Sequence, residues 1–159
     1  QKDDPVSSKE KLINLFGDWH SPIAELISNT DVIIKNSLCD RIPQKGWTKG
    51  NVTLLGDAAH PTTPNLGQGG CMAIEGAYLL ATSLNKYGIG DKAFERYEAL
   101  HFPRTKMVVN ESRQIGQIGQ LSNPLLASFR NTMFRLMPSK MAVKMVDKFF
   151  EYRVTAIHV

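Results

Sequence analysis

The sequence predicts an α/β fold in which few strands are followed by a mostly helical layer. Its 159 residues are 42% hydrophobic and 21% charged, which suits one folded domain. Residues 32–55 hold two β-branched or continuously apolar segments, and apolar residues then recur at helical spacing through most of the remaining chain. No apolar run approaches the roughly 18 residues of a membrane-spanning helix. A transmembrane segment is therefore not expected.

Two short helices are predicted at the start of the chain. Ser7 to Glu10 has the spacing of a capping box, and the residues that follow would form an apolar helix face: Leu12, Leu15, Phe16 and Trp19. Ser21-Pro22 places a capping hydroxyl before a proline at the first helical position. The second helix would bury Ile23, Leu26 and Ile27.

Two strands are predicted next. Val32 to Leu38 is rich in β-branched residues, and Pro43 to Lys49 is a turn-rich connection. Asn51 to Leu55 is mainly apolar, which we interpret as a strand buried on both faces.

The rest of the chain is predicted to be helical. One helix follows a glycine-rich stretch and should end at Gly88. Asp91 would cap the next helix, which we expect to kink or break at Pro103 and then resume as far as Ile118. Asn123-Pro124 and Met137-Pro138 are predicted to mark the boundaries of two further amphipathic helices.

Charge and cysteine content exclude several classes of protein. Basic residues are concentrated in the last third, but they are spread at helical spacing from Arg104 to Lys148, so we interpret them as a solvated helix face and expect no nucleic-acid partner. Cys39 and Cys71 cannot build a disulfide framework and lack zinc-site spacing. We therefore expect no metal site and a reducing, cytoplasmic location, or an organelle if a targeting segment precedes Gln1.

The informative stretch is GDAAHPTTPNLGQGGCMAIE, residues 56–75, between the second strand and a helix. Asp57 places a carboxylate at the end of a strand, where α/β proteins bind ligands and where its oxygens could accept from a hydroxyl-bearing ligand. Gly67, Gly69 and Gly70 remove side chains, so a flat ligand could approach backbone N–H groups at a helix N-terminus. A plain structural turn remains the alternative on this pattern alone.

The same run resembles the second flavin-binding motif of the FAD-dependent aromatic hydroxylases, flavoprotein monooxygenases of the p-hydroxybenzoate hydroxylase type. GQGGCMAIE is similar to the zeaxanthin epoxidase and urate or salicylate hydroxylase branches. Flanking segments agree with the family: Asp40 to Pro43, Trp47, Gly50 to Asp57, and Phe94 to Tyr97 followed by Arg104. The resemblance implies the C-terminal part of an FAD-binding domain.

The resemblance also implies roles for particular residues. Asp57 would hold the ribityl chain of FAD, and Pro64 would lie beside the isoalloxazine ring. Backbone donors would face the pyrimidine end of the flavin from Gly67, Gln68, Gly69, Gly70 and Cys71. In this family NAD(P)H reduces FAD, and one oxygen atom of dioxygen passes to a small aromatic, heteroaromatic or polyene substrate. No residue of the chain is expected to be catalytic.

Several other residues receive structural interpretations. We expect His60 to anchor the loop by hydrogen bonds and Glu75 to be a favourable first-turn acid. Arg41 is expected to form a structural ion pair, with a place in the lining of the flavin cleft as the alternative. Cys71 is interpreted as small packing at the helix start. A set of methionines at four-residue spacing is expected to pack inside the fold: Met133, Met137, Met141 and Met145.

Two departures from the family are visible. Gly76 stands where members usually carry an acidic residue, and no segment resembles the strand, G-x-G-x-x-G turn and helix that hold the ADP half of FAD. We therefore expect the C-terminal portion of a longer monooxygenase, whose missing N-terminal part would be its partner. Alone, the chain should bind FAD poorly.

Three regions are expected. Residues 1–50 would end the substrate-side region and lead to the flavin motif, residues 51–122 would form the FAD-binding segment, and residues 123–159 the C-terminal helices. Two alternatives stay open for function: a flavin-dependent dehydrogenase or reductase, and a non-enzymatic remnant that has lost FAD binding. The coding sequence upstream of Gln1 would separate the enzyme from the remnant.

Overall fold

The computed structural model describes residues 5–159, and side chains from Ser8 onward. Within this range the chain divides into two compact units, the first ending at Leu38 and the second running from Cys39 to Val159. Each unit is described by itself.

The first unit contains the two predicted helices, α1 (Pro5–Phe16) and α2 (Ile23–Ser28). Helix α1 begins two residues before Ser7, so Ser7 lies inside the helix and is not its cap. Pro22 precedes α2, and no side chain caps that helix. Lys9 Nζ donates to the carbonyl of Ser28 at 3.0 Å, which links the two helices.

The predicted apolar faces of these helices are not buried. Leu15, Trp19 and Leu26 are all exposed, and α2 has no buried residue. Helical spacing places apolar side chains on one face, but the face is buried only where another element covers it. The helical spacing of apolar residues therefore predicted the two helices correctly but did not predict whether their apolar faces are buried.

The strand predicted at Val32 to Leu38 is not present, because this segment has no regular secondary structure. Val32, Ile34 and Leu38 are exposed. β-Branched composition favours an extended backbone, but a strand also needs a neighbour for its N–H and C=O groups. Residues 31–44 make no ladder with any described residue.

The second unit contains one small sheet and four helices within the described chain. Its elements are β1 (Thr48–Lys49), β2 (Val52–Thr53), α3 (Gly69–Tyr87), α4 (Asp91–Gly119), α5 (Pro124–Leu136) and α6 (Ser139–Phe150).

The sheet is an antiparallel hairpin in which Thr48 pairs with Thr53 and Lys49 with Val52. The segment predicted as the strand Asn51 to Leu55 is thus shorter than expected, and part of the predicted connection forms β1. Val52, Leu54 and Leu55 are exposed, so the expectation of burial on both faces is wrong. Burial on both faces requires covering layers that the described residues do not supply.

Helices α3 and α4 pack against each other and carry the core. One buried cluster contains Trp47, Leu79 and Tyr97, and a second contains Met72, Val108 and Phe149. Gly88 ends α3 with a φ of 77°, as predicted. Helix α4 continues through Pro103 as one element of 29 residues, so the predicted break is absent.

Helices α5 and α6 begin at the predicted positions, Asn123-Pro124 and Met137-Pro138. Asn123 caps α5 by accepting hydrogen bonds from the N–H groups of Leu125 and Leu126, at 3.0 and 3.2 Å. We expected the four methionines of this region to pack inside the fold, but they line an open apolar groove of 490 Å³. Seven residues line the groove: Phe129, Thr132, Met133, Leu136, Met137, Met141 and Met145. We call this the methionine groove.

Of the helices in residues 5–159, none combines the length and apolarity needed to cross a membrane.

Candidate functional site

The predicted ligand site forms an open cleft of 510 Å³ at the start of α3. Its lining residues come from the loop before the helix and from the first turns of the helix: Asp57, Thr62, Thr63, Pro64, Gly67, Gly69, Gly70 and Ala73. Five of the seven predicted cofactor-binding residues therefore share one cleft. Gln68 and Cys71 are not among the residues that line it.

Two glycines with left-handed backbone shape the loop. Gly56 has a φ of 60° and begins a 3₁₀ turn, Gly56–Ala58, that carries the exposed side chain of Asp57. Gly67 has a φ of 64° and ends a second 3₁₀ turn, Pro64–Leu66. Residues with a Cβ adopt this conformation at a cost, so glycine is favoured at both positions.

The N-terminus of α3 is open toward the cleft. No side chain caps the helix among the described residues, and its first turn contains no acidic residue. The first N–H groups of a helix lack partners within the helix and carry partial positive charge. A Cβ built at Gly70 would meet no atom within 4 Å, so packing within the described chain does not explain the missing side chain. The backbone N–H groups at the start of α3 are therefore available as hydrogen-bond donors at the cleft.

Helix α4 holds the loop in place from one side. Ser112 Oγ donates to the carbonyl of Thr63 at 2.7 Å, and Asn65 Nδ2 donates to the carbonyl of Ser112 at 2.9 Å. Asn65 Nδ2 also donates to Thr63 Oγ1 at 3.0 Å. These bonds fix the turn that presents Pro64 to the cleft.

Arg41 contacts the first part of the loop, and its neighbour Asp40 binds Arg113 in helix α4. Arg41 Nη2 donates to the carbonyls of Ala58 and Ala59 at 2.8 and 3.0 Å. Its role is structural, as predicted, although its partners are carbonyls and no carboxylate pairs with it among the described residues. Arg113 forms two hydrogen bonds of 2.9 Å with Asp40, and these bonds lower the pKa of that carboxyl below its usual value.

His60 supports the loop by packing and not by hydrogen bonds. Its ring is buried, and neither ring nitrogen has a partner among the described residues, so the predicted anchoring hydrogen bonds are absent. The ring lies 5.6 Å from the Trp47 ring and 5.1 Å from the His101 ring, measured between centroids. Burial lowers the pKa of His60, which keeps the imidazole neutral.

Arg104 is the clearest departure from the expected solvated basic face. Its side chain is only 2% exposed, and its guanidinium binds both Glu75 and Gln68. Glu75 lies beyond the first turn of α3, so its ion pair with Arg104, and not the helix dipole, accounts for this acid. Gln68 is buried with its side chain turned toward Arg104, while Cys71 is exposed and free.

Sequence reasoning missed two kinds of residue. Thr62 and Thr63 line the cleft beside Pro64, and their position in the same loop was a usable signal. Arg104, named above only within a flanking family segment and as part of a solvated basic face, and Ser112 support the cleft from about forty residues downstream, and no local pattern connects them to it. No cluster of metal-binding side chains is present in residues 5–159.

Comparison with known proteins agrees with this geometry. The family model described as FAD binding domain matches residues 31–112. The aurachin C monooxygenase/isomerase of Stigmatella aurantiaca is 41% identical over 138 residues, which cover 86% of this chain and 36% of that protein. The chloroplastic zeaxanthin epoxidase of Capsicum annuum is 48% identical over 86 residues, covering 53% of this chain and 13% of that protein.

Solved structures match over nearly the whole chain. HpxO of Klebsiella pneumoniae complexed with FAD and uric acid superposes with a TM-score of 0.79 at 26% identity, covering 95% of this chain and 39% of that one. A variant of HpxO complexed with FAD gives a TM-score of 0.84 over 95% of this chain and 40% of that one. The chain thus spans well under half the length of these relatives.

These matches confirm the fold class and the family resemblance drawn from the residues around Asp57. The family model covers more than half of the chain, and it includes the cleft, the α3 N-terminus and most of α4. The chain belongs to the FAD binding domain family.

Proposed function

We propose that the chain is the C-terminal, flavin-contacting part of an FAD-dependent monooxygenase. The observation that carries this proposal is the uncapped N-terminus of α3, which opens without side chains at Gly69 and Gly70 onto the cleft beside Asp57. The named relatives, a monooxygenase/isomerase and an epoxidase, support oxygen insertion as the reaction class.

The cleft residues fit a flavin by their chemistry. The exposed Asp57 carboxylate accepts hydrogen bonds only, which suits the hydroxyls of a ribityl chain. Pro64 presents a rigid apolar surface to the flat ring. Backbone N–H groups from Gly67 to Cys71, including that of Gln68, would donate to the pyrimidine end of the ring.

The helix start would also favour the reduced cofactor. Partial positive charge at the N-terminus of α3 stabilises negative charge on a nearby group without rearrangement. When bound, FAD would supply the redox chemistry, with NAD(P)H as the electron source and dioxygen as the oxygen donor. The chain itself binds and orients, and we assign it no catalytic residue.

The proposed substrate is a small aromatic, heteroaromatic or polyene molecule. Uric acid, bound by HpxO, is heteroaromatic, and zeaxanthin, the substrate named for the epoxidases, is a polyene. The groups that recognise the substrate would lie mainly in an N-terminal FAD-binding part of the same enzyme. Residues 1–50 would end the substrate-side region and lead to the flavin motif. Residues 51–122 would bind flavin and residues 123–159 would form supporting helices. Nucleic acid is not a proposed partner.

We propose a reducing compartment, the cytoplasm or an organelle. Cys39 and Cys71 are free and exposed, and exposed thiols persist where the surroundings are reducing. The zeaxanthin epoxidase relatives are chloroplastic, which supports an organelle as the alternative.

The test is to express the open reading frame that contains this sequence, together with the variant Asp57→Ala. Wild-type protein should purify with FAD, oxidise NAD(P)H and transfer isotope-labelled oxygen from dioxygen to product. Asp57→Ala should lose flavin, because a carboxylate that accepts from the ribityl hydroxyls is removed. Asp91→Ala, at the start of α4 and outside the cleft, is the matched control.

Two results would overturn the proposal. Flavin reduction that yields hydrogen peroxide with every candidate substrate, and no labelled product, would indicate a dehydrogenase or reductase. A reading frame that starts just before Gln1 and whose protein binds no FAD would indicate a remnant.

A further inference from the structure

One buried arginine joins three separate parts of the second unit. Arg104 Nη2 donates to Gln68 Oε1 and to the carbonyl of Phe149, both at 3.0 Å. Arg104 Nε and Nη2 each donate to the Glu75 carboxylate at 3.2 Å. Arg104 Cζ also lies over the Tyr152 ring, 4.4 Å from its centroid.

These contacts require arginine. A planar guanidinium has five N–H donors in a fixed geometry and can stack on an aromatic ring at the same time. Lysine offers one compact charge and cannot reproduce the two-atom contact with Glu75 together with the bonds to Gln68 and Phe149. A buried charge is tolerated only where several partners compensate for its lost hydration.

The contact with Gln68 bears on the start of α3. The Gln68 carbonyl accepts the hydrogen bond from Met72 N–H at 2.9 Å, which is the first closed turn of the helix. Its side-chain amide is engaged by Arg104 and does not cap the helix. Without Arg104 the buried Gln68 amide would lose this partner, and the turn at the start of α3 would be held less firmly.

The contacts with Phe149 and Tyr152 connect this helix start to the C-terminal segment. The Phe149 carbonyl is in the last turn of α6, where carbonyls lack a partner within the helix. Phe149 is itself buried against Met72 and Val108. The end of α6 and the start of α3 are therefore joined through one guanidinium group.

We propose that Arg104 is a positioning residue for the flavin-binding turn, and that the C-terminal segment 149–152 helps to hold that turn through it. The inference rests on the proposed flavin site for its functional meaning. Its structural content, the coupling of residues 149–152 to the start of α3, can be tested without flavin.

The test is hydrogen–deuterium exchange of the whole chain, followed by mass spectrometry. Tyr152→Leu removes the aromatic face from Arg104, and Tyr152→Phe keeps it as the matched control. In Tyr152→Leu the peptide covering residues 66–76 should exchange several-fold faster, while the peptide covering residues 93–100 stays unchanged. Arg104→Met should accelerate exchange in residues 66–76 roughly tenfold, because buried partners are left unpaired.

The inference is overturned if residues 66–76 exchange at the wild-type rate in both Tyr152→Leu and Arg104→Met. It is also overturned if Tyr152→Leu accelerates both peptides equally, since that would indicate general destabilisation.

A parallel titration with FAD, done on the product of the whole open reading frame and followed by quenching of flavin fluorescence, separates this inference from the proposed function. Loss of affinity in Tyr152→Leu but not in Tyr152→Phe supports both. If the wild-type product of the whole open reading frame shows no quenching even at high concentration, with the exchange result as expected, this counts against the flavin site and leaves the coupling intact.

Discussion

At the scale of single residues, close packing explains a glycine that the family pattern did not lead us to expect. A Cβ at Gly76 would lie 2.9 Å from His101 Nε2 and 3.1 Å from Leu55 Cδ1. The space beside α3 is filled by the buried imidazole, whose Nε2 donates to the Met72 carbonyl at 3.0 Å. Gly76 is therefore a packing requirement, and its cost in helix propensity is offset by the fit of His101.

Gly76→Ala should lower the free energy of unfolding by about 1–3 kcal/mol, because the added methyl group overpacks a buried site. Gly119→Ala is the matched control, since a Cβ there meets nothing within 4 Å and alanine favours the helix. Urea denaturation of both variants measures the difference. Equal stability of the two would mean that the contact with His101 is easily relaxed.

His101 should make stability depend on pH. Burial, aided by His60 and Arg104, lowers its pKa to about 4, although the bond to the Met72 carbonyl opposes the shift. An unfolded histidine titrates near 6.5, so the unfolded state binds the proton first and stability falls as pH drops from about 6.5 to 4. The loss from this group is about 3 kcal/mol.

The measurement is urea denaturation between pH 7 and 4. His60, whose pKa is also lowered by burial although Asp57 opposes the shift, should add to the same slope. His101→Gln should reduce the slope of the free energy of unfolding against pH. A wild-type free energy of unfolding that stays level over this range would contradict the burial of both imidazoles.

At the scale of elements, the sequence predicted what local signals determine. Helix α3 ends at Gly88 and α5 begins after Asn123 because the residues at those positions satisfy the helix ends themselves. The strand expected at Val32 to Leu38 failed because a strand depends on a neighbour. In the candidate site, the loop from Asp57 to Gly70 was recognisable from its own residues, whereas Arg104 comes from a distant part of the chain.

Gly116→Ala should loosen the loop that presents Pro64. A Cβ at Gly116 would lie 2.5 Å from Asn65 Nδ2, the atom that donates to Thr63 and Ser112. Hydrogen exchange in residues 60–68 should rise about tenfold, since bonds worth roughly 1 kcal/mol each are displaced. Gly119→Ala, on the same helix, is the control. Unchanged exchange in Gly116→Ala would show that Asn65 can move without releasing the loop.

At the scale of the whole chain, the exposed apolar surface is large. Val32, Ile34, Leu125 and Phe129 are among many large apolar side chains that remain open to solvent. The chain spans 36% of its aurachin C relative, and the cleft is built from one loop and one helix end. Exposed apolar patches of this kind are typical of surfaces that contact other protein parts. In the proposed function the chain would supply one wall of a flavin site.

The purified chain should therefore lose flavin on gel filtration. The proposed contacts from Asp57 and the α3 N-terminus would reach only one part of the cofactor, and the given sequence contains no G-x-G-x-x-G segment to hold the remainder. The measurement is the ratio of flavin absorbance to protein absorbance after the column, with free FAD as the reference. Stoichiometric yellow protein would contradict this expectation.

The methionines of the methionine groove should be oxidised before the buried methionine of the core. Met133, Met141 and Met145 are 46, 56 and 52% exposed, whereas Met72 is 0% exposed. Dilute peroxide should convert the groove thioethers to sulfoxides well before Met72, and peptide mass spectrometry would detect the added oxygen. Each sulfoxide makes the groove more polar. In a flavoenzyme that releases peroxide, sulfoxides would therefore form first in this groove.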